Sequence, residues 1–178
     1  MTTPWARLFG YTRNRHPETT KVIDLLSNVP IFEELNHREL LAVERILHRR
    51  EYVQDENIFR QGEPGLGMYI VEKGKVSIQS EIEDQELFEM DEGDFFGEVS
   101  LLDQGVRSAT AVAKTPCSVF GFFQPDLLEL ADRNPRLGLK IILRVARYVG
   151  QRLRRANSRV LGLTLELEGL RRGKTHDD

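Results

Sequence analysis

The sequence predicts a mainly β domain with flanking helices, and two observations carry this prediction. Between residues 51 and 123, short apolar runs recur about every ten residues and are separated by Gly, Pro, Asp and Asn, which is typical of a small sandwich or barrel. Before and after this stretch, apolar residues repeat at helical spacing. The predicted organisation is an N-terminal tail and helix at 1–28, the β domain with short flanking helices at 29–135, a long helix at 136–172 and a frayed tail at 173–178.

The helices before the β domain are predicted to cover residues 18–50. Val22, Leu25 and Leu26 form one apolar face, and Asn36 is suited to cap a second helix that runs on through Arg50. Within the β domain, Lys73 and Gly74 predict a tight turn between two strands. Residues 81–94 contain eight acids and no base, so we expect a solvated hairpin end there.

Composition excludes several function classes. The net charge of −3 argues against a surface built for nucleic acid. A single cysteine, Cys117, excludes a disulfide framework and predicts a reducing, cytoplasmic compartment, with Cys117 itself in the core. The four histidines show no metal-ligand spacing, and neither Ser100 nor Ser108 has a nearby histidine, so we expect no enzyme. No signal peptide and no run of about 18 apolar residues is present, which predicts no membrane span.

The stretch FFGEVSLLDQGVRSATAV, residues 95–112, predicts a pocket for a phosphate and a sugar. Gly97 permits a backbone turn, and the short helical turn after it would present unsatisfied N–H groups to an anion. Arg107 can offer a fork of donors to phosphate oxygens, Ser108 adds a hydroxyl, and the small Ala109 allows close approach. Glu98 would accept a hydrogen bond from a sugar hydroxyl. The alternative is a structural ion pair between Glu98 and Arg107 at a sheet edge.

These residues resemble the phosphate-binding cassette of the cyclic nucleotide-binding domain family, which includes catabolite activator proteins, protein kinase A regulatory subunits and cyclic-nucleotide-gated channels. The family pattern is F-G-E-hydrophobic-small-hydrophobic-hydrophobic, a short loop, then R-small-A-T, and it stands here as residues 96–102 and 107–110. The glycine-punctuated segments at 60–65, 68–76 and 93–96 are also similar to the family. The resemblance covers about residues 30–158.

The resemblance implies an eight-stranded β-roll, a double-stranded β-helix or jelly roll, that binds a cyclic nucleotide and needs no cofactor. It places Glu98 on the ribose 2′-hydroxyl and Arg107 on the cyclic phosphate, assisted by amides near Ser100 and Leu101. The implied ligand-binding set is Gly97, Glu98, Val99, Ser100, Leu101, Arg107, Ser108 and Ala109. One departure is Asp55, where the family usually has Gly, but Asp tolerates a left-handed backbone.

The nucleotide itself is less strongly determined. In the family that the cassette resembles, members with serine after the arginine include bacterial cAMP sensors, so through Ser108 the resemblance favours cAMP, and cGMP is the alternative. The base is expected to be covered by a lid from the last helix, formed by Tyr148, Gln151 and Arg152.

The last helix also carries an apolar seam, spaced alternately by three and four residues, that predicts a homodimer through residues 139–170. The seam consists of Leu139, Ile142, Ala146, Val149, Leu153, Ala156, Val160, Leu163, Leu167 and Leu170. Seven bases and no acid lie from Lys140 to Arg159. This basic stretch is either a solvated face of the helix or a surface that contacts the acidic 81–94 segment or a partner.

The predicted function is a stand-alone sensor that signals through this helix to an effector protein of unknown identity. DNA binding is not expected, because only 19 residues follow Arg159, too few for a helix-turn-helix module. Two alternatives are a scaffolding module with an empty or different pocket, and a relative of transcription factors that lacks the DNA module.

Overall fold

The computed structural model describes residues 17–80, 85–103 and 105–174. Two helices come first, then eight strands interrupted by a one-turn 3-10 helix, then two more helices. The elements are α1 Pro17–Asn28, α2 His37–Glu44, β1 His48–Tyr52, β2 Asn57–Phe59, β3 Gly67–Lys73, β4 Val76–Ser80, β5 Gln85–Met90, β6 Phe95–Phe96, the 3-10 turn Glu98–Leu101, β7 Thr110–Ala113, β8 Cys117–Phe123, α3 Gln124–Arg133 and α4 Pro135–Lys174. Of the predicted N-terminal tail and helix at 1–28, residues 1–16 lie outside the described residues, and of the predicted frayed tail at 173–178, residues 175–178 do.

The described strands form two antiparallel sheets of four. Their orders are β1-β8-β3-β6 and β2-β7-β4-β5, so β4 and β5 are the one pair of described neighbours that are also consecutive in sequence. This arrangement, with helices at both ends, confirms the predicted β-roll. Gly74 has a φ of 84°, as the tight turn between β3 and β4 requires, and Asp55 adopts the left-handed backbone expected of it, with a φ of 66°.

The predicted extension of the second helix to Arg50 is wrong. Asn36 caps α2 in a capping box, but the helix ends at Glu44 and His48–Tyr52 form strand β1. β1 pairs along its whole length with β8, for example Arg50 with Val119. This long-range pairing overrides the local helical spacing of the apolar residues.

Two hydrophobic clusters hold the fold. The first lies between the helices and the first sheet and includes Leu26, Phe32, Phe122 and Ile141, all 0% exposed. The second lies between the two sheets and includes the predicted core residue Cys117, which is 5% exposed.

The buried contacts of the last helix with the roll lie in the first half of the helix. Leu137, Ile141 and Val145 are buried in the first cluster, whereas every residue from 151 to 161 is exposed. None of the described helices is long and apolar enough to cross a membrane.

The acidic segment 81–94, predicted as a solvated hairpin end, is exposed over most of strand β5. Residues 81–84 lie outside the described part of the chain, and β5 is exposed along most of its length. Its acids pair with lysines that flank the neighbouring strands of the same sheet: Lys114, just after β7, bonds both Glu86 and Glu89, and Lys75, just before β4, bonds Glu89. Two bases of α4 pair with acids outside this segment, Lys140 with Glu39 and Arg144 with two acids that follow α1.

Candidate functional site: the cassette between β6 and β7

The site begins with a backbone turn that only glycine makes readily. Gly97 precedes the 3-10 turn Glu98–Leu101 and has a φ of 75°. A Cβ atom at this position would lie 2.6 Å from Nη1 of Arg107. Gly97 therefore provides both the left-handed conformation and the space for the arginine.

Two flanking segments hold the turn and its arginine in place. Leu101 is buried in the first cluster, and Phe96 and Ala109 are buried in the second. The amide of Arg107 donates to the carbonyl of Glu63 at 2.8 Å, and the carbonyl of Arg107 accepts from the amide of Gly62 at 2.9 Å. The glycine-punctuated loop at 60–65 thus fixes the backbone of the arginine.

The side chain of Arg107 lies within the protein, and the residue is only 5% exposed. Nη1 donates to Oγ of Ser100 at 3.1 Å and to the carbonyl of Gly97 at 3.3 Å. The guanidinium carbon lies 4.0 Å from the centroid of the Phe59 ring, within range of a cation–π interaction. The two hydrogen bonds hold Nη1 of the guanidinium, and the Phe59 ring packs on one face of the guanidinium plane.

Arg107 forms no ion pair with a carboxylate among the described residues, although the negative charge of Glu63 acts on it from a greater distance. Its Nε is buried and has no hydrogen-bond partner there. Burial lowers the pKa of the guanidinium, because the charged form loses its water. A buried cation held only by neutral acceptors is a site at which an anion would be stabilised.

Glu98 does not pair with Arg107, so the structural ion pair considered as an alternative is absent from the described structure. Instead, Oε1 of Glu98 accepts from Nη1 of Arg152 on α4, at 2.6 Å. The Glu98 side chain is 3% exposed and that of Arg152 is 42% exposed. The long helix α4 therefore contacts the cassette through Glu98.

The other residues expected to bind the ligand differ in how far they are buried. Ser100 lies beside Arg107, but its amide already donates to the carbonyl of Gly97 at 3.2 Å. The side chain of Val99 is 50% exposed and that of Leu101 belongs to the core. Ser108 is exposed and Ala109 is buried. The structure thus brings the polar side chains at 98, 100 and 107 to the protein interior, but not Ser108.

A cavity of about 490 Å³ lies next to the cassette, between β5 and α4. Its lining includes Pro30, Phe88, Met90, Asp94, Phe95, Tyr148, Arg152, Arg155, Ala156 and Arg159. Of the three residues predicted as a lid, Tyr148 and Arg152 line this cavity, and the Tyr148 ring centroid lies 4.6 Å from that of Phe95. Burial raises the pKa of the Tyr148 hydroxyl. Gln151 is exposed and does not line the cavity.

Sequence reasoning missed Arg155 and Arg159 in this lining. The signal was present, because positions 137, 141, 145, 148, 152, 155 and 159 continue one stripe of three- and four-residue spacing along α4. The stripe is apolar where it packs on the roll and becomes basic where it faces the cavity. A larger cavity of about 1030 Å³ beside α1 contains none of the cassette residues in its lining.

Comparison with known proteins agrees with this geometry. Residues 49–134 match the family described as cyclic nucleotide-binding domain, a range that contains the whole cassette. Residues 49–134 belong to the cyclic nucleotide-binding domain family. Because the match ends just before α4 begins, it covers the cyclic nucleotide-binding domain and not the helix that lines the cavity.

The similar proteins include a cyclic AMP receptor protein and a cGMP-dependent protein kinase. The chain is 37% identical over 131 residues to the Cyclic AMP receptor protein of Thermus thermophilus, which covers 72% of this chain and 59% of the relative. It is 32% identical over 101 residues to the cGMP-dependent protein kinase egl-4 of Caenorhabditis briggsae, covering 54% of this chain and 14% of the kinase. The crystal structure of the Thermus thermophilus Catabolite Activator Protein superposes with a TM-score of 0.67 at 36% identity, covering 76% of this chain and 63% of that one. This chain therefore spans less than two thirds of each of these relatives.

Proposed function

We propose that this protein is a cyclic nucleotide sensor that is not an enzyme. It binds a purine 3′,5′-cyclic nucleotide at the cassette and signals through α4 to a partner protein. The observation that carries the proposal is the buried Arg107, whose positive charge has no carboxylate partner among the described residues. A cyclic phosphate is a monoanion with two free oxygens, which suits the planar fork of a guanidinium.

Glu98 supplies the second contact. Its carboxylate accepts hydrogen bonds only, so it suits a ribose 2′-hydroxyl and not the phosphate. In the structure this acceptor is bonded to Arg152. Nucleotide binding therefore requires the ribose to share Glu98 with Arg152 or to displace it, which connects the ligand directly to α4.

The nucleotide is a purine, and the serine at 108 favours cAMP, with cGMP as the alternative. The similar proteins agree with either nucleotide, since one is named a cyclic AMP receptor and another a cGMP-dependent kinase. The single, buried Cys117 fits a cytoplasmic sensor.

Substitution of Arg107 tests the phosphate assignment. Arg107→Ala is expected to weaken binding of cAMP and cGMP by about 2 kcal/mol or more, the scale of a lost buried charged hydrogen bond. Arg107→Lys should recover only part of this, because a point charge replaces the fork. Isothermal titration calorimetry measures both, and thermal unfolding shows that the variants are folded. Wild-type affinity in a folded Ala variant would refute the assignment.

A second candidate is a scaffolding module that dimerises through α4 and whose cassette stays closed by the Glu98–Arg152 pair. The exposed leucines of the far half of α4 favour this candidate, as described below. Calorimetry with cAMP, cGMP and cyclic di-GMP separates the two, because a scaffold binds none of them at micromolar concentration.

A further inference from the structure

We propose that Phe59 is a positioning residue for Arg107: its ring lies against the guanidinium, compensates part of the buried charge and holds the fork in place for a phosphate. This inference rests on the proposed function, because the phosphate is that of the cyclic nucleotide. It assigns a role to a residue of β2, which precedes the cassette in sequence and lies outside it.

The Phe59 ring is fixed by two other rings that come from the opposite sheet. Phe59 is the last residue of β2, whereas Tyr69 belongs to β3 and Phe96 to β6. The centroid of the Phe59 ring lies 5.8 Å from each of the other two centroids, and Tyr69 and Phe96 stack on each other at 5.7 Å. Aromatic pairs at such distances are favourable. These contacts between the sheets restrict the orientation of the ring beside Arg107.

The rings stabilise the cation through their faces and not through a hydrogen bond. The Cζ atom of Arg107 lies 4.0 Å from the Phe59 centroid and 5.8 Å from the Tyr69 centroid. The face of an aromatic ring carries partial negative charge, so it attracts a guanidinium, and more strongly where water is excluded. Because Arg107 is only 5% exposed, the rings offset part of the cost of burying its charge.

An aromatic ring differs from a carboxylate partner in one respect that matters for ligand binding. A carboxylate would occupy N–H groups in the plane of the guanidinium, and a phosphate would have to displace it. The ring leaves these groups free. Nη1 is held by Ser100 and by the carbonyl of Gly97, whereas Nε and Nη2 have no hydrogen-bond partner in the part of the chain that the structure describes. Arg107 is thus held in place while donors remain for an anion.

Fixing the side chain before the ligand binds increases the affinity. An arginine side chain has several rotatable bonds, and ordering it at a binding site costs free energy that is subtracted from binding. In this protein the two hydrogen bonds of Nη1 hold one end of the fork, and the Phe59 ring fixes the plane. Because the effect acts on the phosphate and not on the base, we expect it to be the same for cAMP and cGMP.

Calorimetry on matched variants tests the effect on binding. Phe59→Leu removes the ring but keeps an apolar side chain, so cAMP and cGMP should both bind about threefold to tenfold more weakly. Phe59→Tyr keeps a ring and should restore affinity to within about twofold of wild type. Phe123→Leu is the control and should bind like wild type. The Phe123 ring also contacts Tyr69, at 6.0 Å, and packs on the same cluster, but the rings that lie over Arg107 are those of Phe59 and Tyr69.

Three outcomes of the calorimetry would overturn the inference. They are wild-type affinity in Phe59→Leu, an equal loss in Phe123→Leu, and a loss that differs between the two nucleotides. The second would show that any damage to the aromatic cluster weakens binding, and the third would place Phe59 at the base and not behind the phosphate.

Nuclear magnetic resonance separates this inference from the proposed function, because it needs no ligand. In protein labelled with ¹⁵N-arginine, the Nε–H proton of Arg107 should be shifted upfield by the ring current of Phe59 and should exchange slowly with water, since Nε is buried. The signal is assigned by its loss in Arg107→Lys. The upfield shift should disappear in Phe59→Leu and remain in Phe59→Tyr and Phe123→Leu.

A signal that Phe59→Leu leaves unchanged would show that the ring does not hold the guanidinium, and it would overturn the inference whatever the affinities are. A wild-type chain that shows the shifted signal but binds neither cAMP nor cGMP would instead refute the proposed function, and with it the role of the contact in phosphate binding.

Discussion

Glu98 and Arg107 are both buried, and the chain compensates their charges in different ways. Arg107 is held by a hydroxyl, a carbonyl and an aromatic ring, none of which carries a formal charge. Glu98 has a full counter-ion, but that ion belongs to a partly exposed side chain on another element. Arg107 can therefore form an ion pair with a bound anion, and Glu98 can replace Arg152 by another hydrogen-bond donor.

The hydrogen bond between Glu98 and the ribose can be isolated by combining a protein variant with a ligand analogue. The 2′-deoxy analogue of the nucleotide should bind wild type about 1.5 kcal/mol more weakly, because a hydrogen bond to a charged group is lost. In Glu98→Gln this difference should shrink, since an amide oxygen is a weaker acceptor. Calorimetry on the four combinations gives the coupling energy. An analogue that binds wild type undiminished would show that Glu98 does not contact the ribose.

The sequence predicts Glu98 and Arg107 because their motif is local. The turn, the acid and the arginine lie within 14 residues, and the constraints on Gly97 and Ala109 arise in the same segment. The Glu98–Arg152 pair joins residues 54 positions apart, and no local pattern specifies it. The position of Gln151 shows the same limit, because adjacent helical residues differ by about 100° and only packing decides which one faces the cavity.

At the level of elements, the cassette is tied to α3, and α3 is tied to α4. Nε2 of Gln124, the first residue of α3, donates to the carbonyl of Leu101 at 3.1 Å. α3 then packs against α4 where Gly138 meets Ala131: a Cβ on Gly138 would overlap the Cβ of Ala131. Gly138 therefore allows the start of α4 to pack closely against α3.

Gly138→Ala is expected to destabilise the fold. An added methyl group would force α3 and α4 apart in a close-packed region, which typically costs about 1–3 kcal/mol. Gly150→Ala is the matched control in the same helix, because the closest atom to its Cβ would be the flexible Nη1 of Arg154 at 3.7 Å. That control should be neutral, or stabilising by up to about 1 kcal/mol through helix propensity. Urea unfolding measures the free energy of unfolding of both variants. Equal values would show that α3 and α4 can move apart to accommodate the added methyl group at little cost.

At the scale of the whole molecule, the far half of α4 exposes a row of large apolar side chains. Its large apolar side chains remain in water: Leu153, Val160, Leu163 and Leu167 of the predicted seam are 54–63% exposed. Val149 instead packs partly on the first cluster, and the side chain of Leu170 lies outside the described residues. We propose that the seam pairs with a second copy of this helix, because heptad spacing brings the same face of both helices together.

Charged substitutions on the seam should give monomers. Leu153→Glu combined with Val160→Glu places acids at an apolar interface, while both positions are free of the roll. Leu165→Glu is the control, since it is equally exposed, at 60%, but lies on the other side of the helix. Sedimentation equilibrium should give half the mass for the double variant and an unchanged mass for the control. A dimer that persists in the double variant would place the interface elsewhere.

A sensor of this design must transmit ligand binding from the cassette to α4, and two routes connect them. One is the Glu98–Arg152 pair, which the ribose would disturb, and the other runs from Leu101 through Gln124 and α3 to Gly138. A ligand changes the helix only if its contacts differ between two states, and the exchange of partners at Glu98 supplies such a difference.

Cyclic nucleotide should therefore slow hydrogen exchange within 97–110 and also change it within 136–155. Hydrogen–deuterium exchange measured by mass spectrometry follows both segments in one experiment, with Arg107→Ala at the same nucleotide concentration as the unbound control. Arg152→Ala should reduce the response of 148–155 more than that of 136–142, because it removes only the direct route. Protection confined to the cassette would mean that binding does not reach α4, and the chain would then bind the nucleotide without signalling through this helix.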